Sequence, residues 1–221
     1  MKRRLSTQRT VGLTLVEVLV SIVVVAVLAA LLIPAFTRAK PRYKAINCVS
    51  SLKQVGLAFR MWSNENGEQF PWNVSTTNGG TLEFATSPQV FRHYLAISNE
   101  LTSPKLLTCN ADTQRTRVFA WYQLSNNAPL SYFVGLDADE NKPQTILSGD
   151  RNLTTNGKPA RGFITFDSNL VWAFSREMHM SGGNIGLGDG SVYQVTPDGL
   201  QKQNGLQFST TGRQSIRLVI P

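Results

Sequence analysis

The stretch LTLVEVLVSIVVVAVLAALLI, residues 13–33, decides the architecture of this chain. Its polar members are Thr14, Glu17 and Ser21. A helix of this length is about 30 Å long, which matches the hydrocarbon thickness of a bilayer. A secretory signal peptide has a shorter apolar run and ends in a small-residue cleavage site, whereas Ala29-Ala30 is followed here by further apolar residues. The stretch therefore predicts a retained transmembrane helix.

The charge of the chain is concentrated at its N-terminus. The 221 residues include 22 Lys and Arg against 14 Asp and Glu, a formal net charge of +8. Four of these cations precede Gly12, namely Lys2, Arg3, Arg4 and Arg9. The excess is therefore first a feature of the leader, and no nucleic-acid partner is expected. Because basic residues also follow the apolar stretch, charge alone does not orient the helix.

A second helical pattern follows the apolar stretch and predicts an amphipathic stem over residues 34–62. Its apolar positions are Ile46, Val49, Leu52, Val55, Phe59 and Trp62. This face is expected to pack on a sheet. Pro34 and Pro41 each remove a backbone donor, so a kink or a break is predicted there.

Residues 63–221 are predicted to form an exported head of short strands joined by turns. A short helix is expected from Ser87-Pro88 to about Ile97, with Ser as its cap and Pro at its first position. The predicted strands are Lys105–Cys109, Leu130–Leu136, Thr145–Leu147, Gly162–Phe166, Leu170–Phe174, Asn184–Leu187, Ser191–Val195 and Ile216–Ile220. The expected fold class is α+β, with a long N-terminal helix packed on an antiparallel sheet.

The junction between the leader and the apolar stretch resembles the processing site of type IV prepilins and type II secretion pseudopilins. In that family a short basic leader ends in Gly, and Glu is the fifth residue of the mature chain. Gly12 and Glu17 match these positions, while Leu13 stands where the family usually has Phe. Pro34 lies where family members often carry a helix-bending proline. The resemblance implies a pilin-like fold.

The resemblance also implies partners and a location. Residues 1–12 would be removed by prepilin peptidase on the cytoplasmic side, and the new amine of Leu13 would be methylated. The protein would cross the inner membrane once, with its head in the periplasm, in a filament or at the cell surface. In the family, the acid at the position of Glu17 is thought to attract the N-terminal amine of a neighbouring subunit. Other pilins or pseudopilins, in a homo- or hetero-oligomer, and the inner-membrane assembly machinery are the implied partners.

A second resemblance covers the first third and the last fifth of the chain. Residues 47–58, NCVSSLKQVGLA, are similar to the stem of a prepilin-like group abundant in Planctomycetes and Verrucomicrobia. That group shares a His, nine residues, then Asp-Gly near the C-terminus. Here His179 is followed by nine residues and then Asp189-Gly190. We call this the H-x9-DG motif.

The two cysteines leave two alternatives open. Cys48 lies on the predicted stem, and Cys109 ends a predicted strand. In an oxidising compartment they could form one disulfide that ties the head to the stem, worth about 2–4 kcal/mol. Otherwise both are buried free thiols.

Polar residues of the head suggest turns more than catalysis. In a glycine-rich region, Asp189 is expected to shape a hairpin and His179 to bond nearby backbone. Asp137 and Asp139 are candidate calcium ligands, since alternating oxygens suit a hard cation, and a solvated acidic turn is the alternative. The same two alternatives apply to Asp150, which is either a calcium ligand or, more simply, the partner of an arginine. No nucleophile elbow, phosphate loop or catalytic carboxylate pair is found, so we expect neither an enzyme nor any cofactor beyond calcium.

The leading interpretation is a structural subunit of a type IV pilus-like filament or a type II secretion pseudopilus, two assemblies that share the same N-terminal pattern. The alternative is a membrane-tethered exported domain that binds a ligand, such as a surface glycan or DNA, and does not polymerise. A third and less favoured interpretation is a tethered hydrolase that uses His179 and acidic residues. A filament requires Glu17, whereas a simple tether does not.

Overall fold

The computed structural model describes residues 12, 14–167, 170–179 and 182–221, and for residues 33–42 it describes the backbone alone. The chain forms two units, Met1–Arg42 and Tyr43–Pro221. Residues 1–11 of the leader and Leu13 lie outside the described residues, whereas Gly12 is described. A single helix, α1 (Leu15–Glu65), contributes to both units.

In the first unit, the start of α1 is predominantly apolar. Leu15–Leu32 is long and apolar enough to cross a membrane, and none of it is buried within the chain. A signal sequence would pass the same test of length and composition. The helix continues through Pro34 and Pro41 without a break. The bend predicted at Pro34 stays a prediction.

In the second unit, α1 buries one face. The buried apolar residues on this face are Cys48, Leu52, Val55, Ala58, Phe59 and Trp62. Ile46, predicted to lie on the same face, is instead 68% exposed. The helix ends at Glu65, after which Gly67 and Glu68 both have positive φ. The amide of Glu68 then donates to the carbonyl oxygen of Ser63 at 2.9 Å, which closes the end of the helix.

The head contains two further α-helices, five short 3-10 helices and nine strands within its described residues. The α-helices are α2 (Phe91–Ala96) and α3 (Pro197–Thr211). The strands are β1 (Tyr132–Gly135), β2 (Ile146–Asp150), β3 (Leu153–Thr155), β4 (Lys158–Pro159), β5 (Gly162–Asp167), β6 (Trp172–Phe174), β7 (Gly183–Leu187), β8 (Val192–Val195) and β9 (Ser215–Ile220).

The strands form two antiparallel sheets. The larger has the order β5-β9-β1-β2-β7-β8, and the smaller has the order β4-β3-β6. Strand β1 pairs with β2 through Tyr132 and Asp150, and with β9 through Val134 and Val219. The α+β class with an antiparallel sheet is therefore confirmed.

The larger sheet separates two apolar cores because side chains alternate along a strand. On β1, Tyr132 and Val134 join the core that contains Phe59 of α1. Between them, Phe133 joins the other core, which contains Leu200 of α3. The stem helix thus packs in the head on one face of this sheet.

Several predicted elements of the head are wrong. Residues 105–109 form no strand, because Pro104 begins a short 3-10 helix, Pro104–Leu107. Helix α2 begins at Phe91 and not at Pro88. Helix α3 was not predicted, although Thr196 caps it, its side chain accepting a hydrogen bond from the amide of Gly199.

Candidate functional site

The N-terminus of α1 holds the acid that the sequence singled out. Oε2 of Glu17 accepts hydrogen bonds from the backbone amide of Thr14 at 2.8 Å and from its hydroxyl at 2.9 Å. The amide of Glu17 donates to the hydroxyl of Thr14 at 3.3 Å. This is the reciprocal arrangement of a capping box. Within a single chain, Glu17 is therefore bonded to the start of its own helix.

The cleavage position can be placed only in part. Gly12 is exposed and precedes this cap by two residues, while Leu13 lies outside the described residues. The predicted cut between Gly12 and Leu13 therefore stays a prediction, as does methylation of Leu13.

The two cysteines form a disulfide that joins the stem to the head. Cys48 of α1 and Cys109 are bonded, with their Cα atoms 5.1 Å apart. Both residues are 1% exposed. Of the two alternatives left by the sequence, the bridge is confirmed. It closes a separation of 61 positions in the chain.

His179 lies against this disulfide. Its Nε2 is 3.4 Å from Sγ of Cys109 and 3.3 Å from Oδ2 of Asp150. The same nitrogen is 3.2 Å from Nδ2 of Asn184. The prediction that His179 bonds nearby backbone holds for its carbonyl group, which accepts from the amide of Gly182. For the imidazole ring the prediction is wrong.

Burial controls the protonation of this pair. Asp150 is fully buried, which raises its pKa to about 7, although two hydrogen bonds from Asn184 act in the opposite direction. Burial also lowers the pKa of His179. The ring is therefore neutral at neutral pH and can accept a proton at Nε2.

Asp150 does not pair with the adjacent arginine, contrary to the sequence prediction. Arg151 instead binds Asp112 through two hydrogen bonds of 2.7 and 2.8 Å. Both side chains are almost fully buried. Asp150 is the last residue of β2, whereas Arg151 lies just beyond the strand.

The other half of the H-x9-DG motif shapes a hairpin, as predicted. Oδ1 of Asp189 accepts hydrogen bonds from the amide and the hydroxyl of Ser191. Gly190 adopts φ +82°, which explains why glycine is suited to this position. The carbonyl of Asp189 also accepts a 2.8 Å hydrogen bond from Arg60 of α1. Both ends of the motif therefore contact the stem, one through the disulfide and one through Arg60.

The candidate calcium ligands have other partners. The carboxylate of Asp137 accepts hydrogen bonds from the backbone and side chain of Arg217, and it also binds Arg213. Oδ1 of Asp139 accepts from the amide of Asn141, and its Oδ2 is 3.7 Å from Nζ of Lys142. Calcium would have to displace these groups, so the arrangement favours an ion-paired turn in which Asp137 is buried.

One group of described residues has the donor types of a metal site, namely Cys48, Cys109 and His179. The disulfide occupies both sulfurs, so these residues do not form a ligand set in this state. Sequence reasoning did not connect His179 with the cysteines. It also missed the roles of Asn184 and Asp112. Asn184 meets Asp150 through the pairing of β2 with β7, and Asp112 meets Arg151 through the path of a loop.

No protein-family model, curated protein or solved structure gave a significant match to this chain. The resemblance to prepilins therefore rests on the residues of the sequence alone, and the function that it implies is a proposal.

Proposed function

We propose that this protein is a structural subunit of a type IV pilus-like or type II secretion pseudopilus filament, assembled through the first half of α1. The observation that carries the proposal is the exposed apolar helix Leu15–Leu32, which begins with a bonded acid, Glu17. An apolar surface of this size needs a non-aqueous environment. A bilayer provides one before assembly, and the helices of neighbouring subunits provide one within a filament.

The capping box gives Glu17 a defined role in this scheme. A carboxylate inside a bilayer costs about 2.5–3.5 kcal/mol on insertion scales, and such residues usually have a partner. In the single chain, the donors of Thr14 reduce that cost. In the filament, the N-terminal amine of a neighbouring subunit would add an opposite charge in a medium of low dielectric constant. The acid would then fix the register between subunits.

Processing completes the proposal. Prepilin peptidase would cut after Gly12, which lies two residues before the cap, and the head would be exported to the periplasm. The buried disulfide between Cys48 and Cys109 supports export, since disulfides persist in oxidising compartments. It would also keep the head attached to the stem while the subunit is drawn into a filament.

Cross-linking in cells tests this function. A photo-activated residue at position 24 should give dimers and larger adducts of the wild-type protein. Glu17→Leu should keep the protein in the membrane fraction and abolish those adducts. Ser21→Leu is the matched control, because it removes a polar group one turn further along and leaves the acid in place. Adducts that persist unchanged in Glu17→Leu would contradict the proposal.

A second candidate, a tethered ligand-binding domain, is favoured by one cavity of the head. The cavity has a volume of about 340 Å³ and lies beside the end of α1. Charged residues of both signs line it, among them Glu68, Asp139, Lys142, Arg213 and Arg217. Membrane retention without adducts in the wild-type protein would favour this candidate.

A further inference from the structure

The two sulfurs of the disulfide have different surroundings. Within the described part of the chain, the polar contacts to the pair fall on Cys109. The amide of Ala111 donates to its sulfur at 3.4 Å, and Nε2 of His179 lies at the same distance. Cys48 is set in the buried apolar face of α1, beside Leu52.

This asymmetry predicts different acidities for the two thiols before they are joined. A thiolate is stabilised by hydrogen-bond donors and by a neighbouring imidazolium, whereas apolar surroundings favour the neutral thiol. The thiolate is the form that attacks disulfides. Cys109 therefore has the surroundings of a nucleophile, and Cys48 has those of a partner that reacts second.

We propose that Cys109 is the nucleophilic cysteine of this pair, and that His179 is the base that activates it during disulfide formation. The thiol proton of Cys109 moves to Nε2 of His179. The thiolate attacks one sulfur of an oxidant disulfide, whose S–S bond breaks and releases one thiolate. Cys48 loses its proton to water and attacks Sγ of Cys109, which releases the second thiolate. Two thiols are oxidised and one external disulfide is reduced to two thiols.

Asp150 is a positioning residue in this step. Its Oδ2 is 3.3 Å from the nitrogen that takes up the proton, so its ionised form would stabilise the imidazolium. Asn184 holds the same oxygen by two hydrogen bonds, of 2.7 and 2.9 Å. The other oxygen, Oδ1, is buried without a partner among the described residues. Strand β7, through Asn184, thus holds the carboxylate of Asp150 beside the ring of His179.

Other charges also act on this site. Asp150 contacts the ring, and Asp112 acts on it electrostatically. Around these groups, Arg151 pairs with Glu177, Arg117 donates to the carbonyl of Thr108, and Tyr132 donates to the carbonyl of Cys48. Asp112 is paired with Arg151 and still raises the pKa of His179, while Asp150 is the acid in contact with the ring. The site is independent of the filament proposal, because all of its groups belong to the unit Tyr43–Pro221.

Single-cysteine variants of the full chain in detergent test this proposal. Cys48→Ser leaves Cys109 free, and Cys109→Ser leaves Cys48 free. Ultraviolet absorbance of the thiolate, followed against pH, should give a pKa below about 7.5 for Cys109 and at or above about 8.5 for Cys48. The rate of mixed-disulfide formation with oxidised glutathione, followed against pH, should have the same midpoint as the absorbance for each cysteine. Burial slows both reactions without changing these midpoints.

Two histidine variants identify the base. In the Cys48→Ser background, His179→Gln should raise the midpoint of Cys109 by about one pH unit or more. His93→Gln is the matched control, since His93 is buried in α2, a different element. It should leave the midpoint unchanged. Asp150→Asn keeps the ring and should cause a smaller rise, which provides the test if His179→Gln does not fold.

Three results would overturn the assignment. The first is an equal thiolate midpoint for the two cysteines, and the second is a lower midpoint for Cys48. The third is a Cys109 midpoint that His179→Gln does not change. If His179→Gln does not fold, the third result is a midpoint that Asp150→Asn does not change.

Discussion

Residues Leu15–Leu32 and residues 43–65 belong to one helix, yet their apolar side chains have opposite surroundings. Val24 is 51% exposed, whereas Val55 is fully buried. The first segment is predominantly apolar on all sides, so a single sheet could not cover it. The second is apolar on one face, which the head covers.

The comparison shows that one helix can have two separate sources of stability. Burial in the head stabilises residues 43–65, at about 25 cal/mol for each Å² of apolar surface removed from water. Nothing described in the chain does the same for Leu15–Leu32. Under the proposed function, a bilayer or neighbouring subunits would cover this segment. Substitutions in the two segments should therefore affect different measurements.

The largest contrast is expected from one substitution made in both segments. Val55→Arg places a charge in a dry core, which costs several kcal/mol and should abolish cooperative melting of the head. Val24→Arg should leave melting unchanged and reduce the membrane-bound fraction, because arginine at mid-membrane costs about 2.5–3.5 kcal/mol. Circular dichroism and cell fractionation measure the two effects. A lower melting temperature for Val24→Arg would break the comparison.

Within the stem, the buried and exposed faces should differ nearly as much. Phe59 is fully buried, and its ring centroid lies 5.3 Å from that of Trp72. Phe59→Ala should lower the free energy of unfolding by about 3–5 kcal/mol in denaturant titrations. Leu57→Ala, on the exposed face, should change it by no more than about 0.5 kcal/mol. Similar losses of unfolding free energy for both variants would show that the face of the stem that carries Leu57 is not exposed to solvent.

The core beside the stem should also make stability depend on pH. His93 is buried against Trp72, and burial lowers its pKa from 6.5 to about 4. The unfolded chain binds this proton below pH 6.5 and the folded chain does not, so stability is lost as pH falls from 6.5 towards 4. The loss should be about 3 kcal/mol.

The variant His93→Gln isolates this effect. Asp150 has the opposite sign, because its pKa is raised to about 7 and its contribution is lost as pH rises through that value. Subtracting the variant's unfolding free energy from that of the wild type at each pH removes the contribution of Asp150. A difference that stays constant between pH 4 and 7 would contradict a neutral, buried His93.

The smallest effect concerns the hairpin that holds the stem. Arg60 donates to Glu140 at 3.0 Å and to the carbonyl of Asp189 at 2.8 Å. Its side chain is 36% exposed, so solvent screens the ion pair. Arg60→Ala should lower the unfolding free energy by about 1 kcal/mol, whereas Lys53→Ala, on the exposed side of the helix, should leave it unchanged. Equal values for the two variants would mean that Arg60 contributes nothing.

Helical periodicity in the sequence predicted the long N-terminal helix and its buried face better than it predicted the contacts within the head. The apolar stretch and the buried stem face at Leu52, Val55 and Phe59 follow from helical spacing and appear in the structure. Ile46 fails because burial requires an opposing surface as well as the right spacing. The hairpin at Asp189-Gly190 was predictable because its turn residues are local.

The polar site could not be predicted from the sequence in the same way. Cys109 and His179 are 70 positions apart, and their contact depends on the disulfide and on the pairing of β2 with β7. Local signals were present for α3, where Thr196 is followed by Pro197, and they were not recognised. Long-range contacts between polar side chains carry no such signal.

The most direct test of the account is the mass of the intact protein isolated from cell membranes. Removal of residues 1–12 with the apolar helix retained is the predicted result, and methylation of the new amine should add the mass of one methyl group. A chain that still begins at Met1, or one cut near Ala30 as by a signal peptidase, would contradict assembly through Glu17.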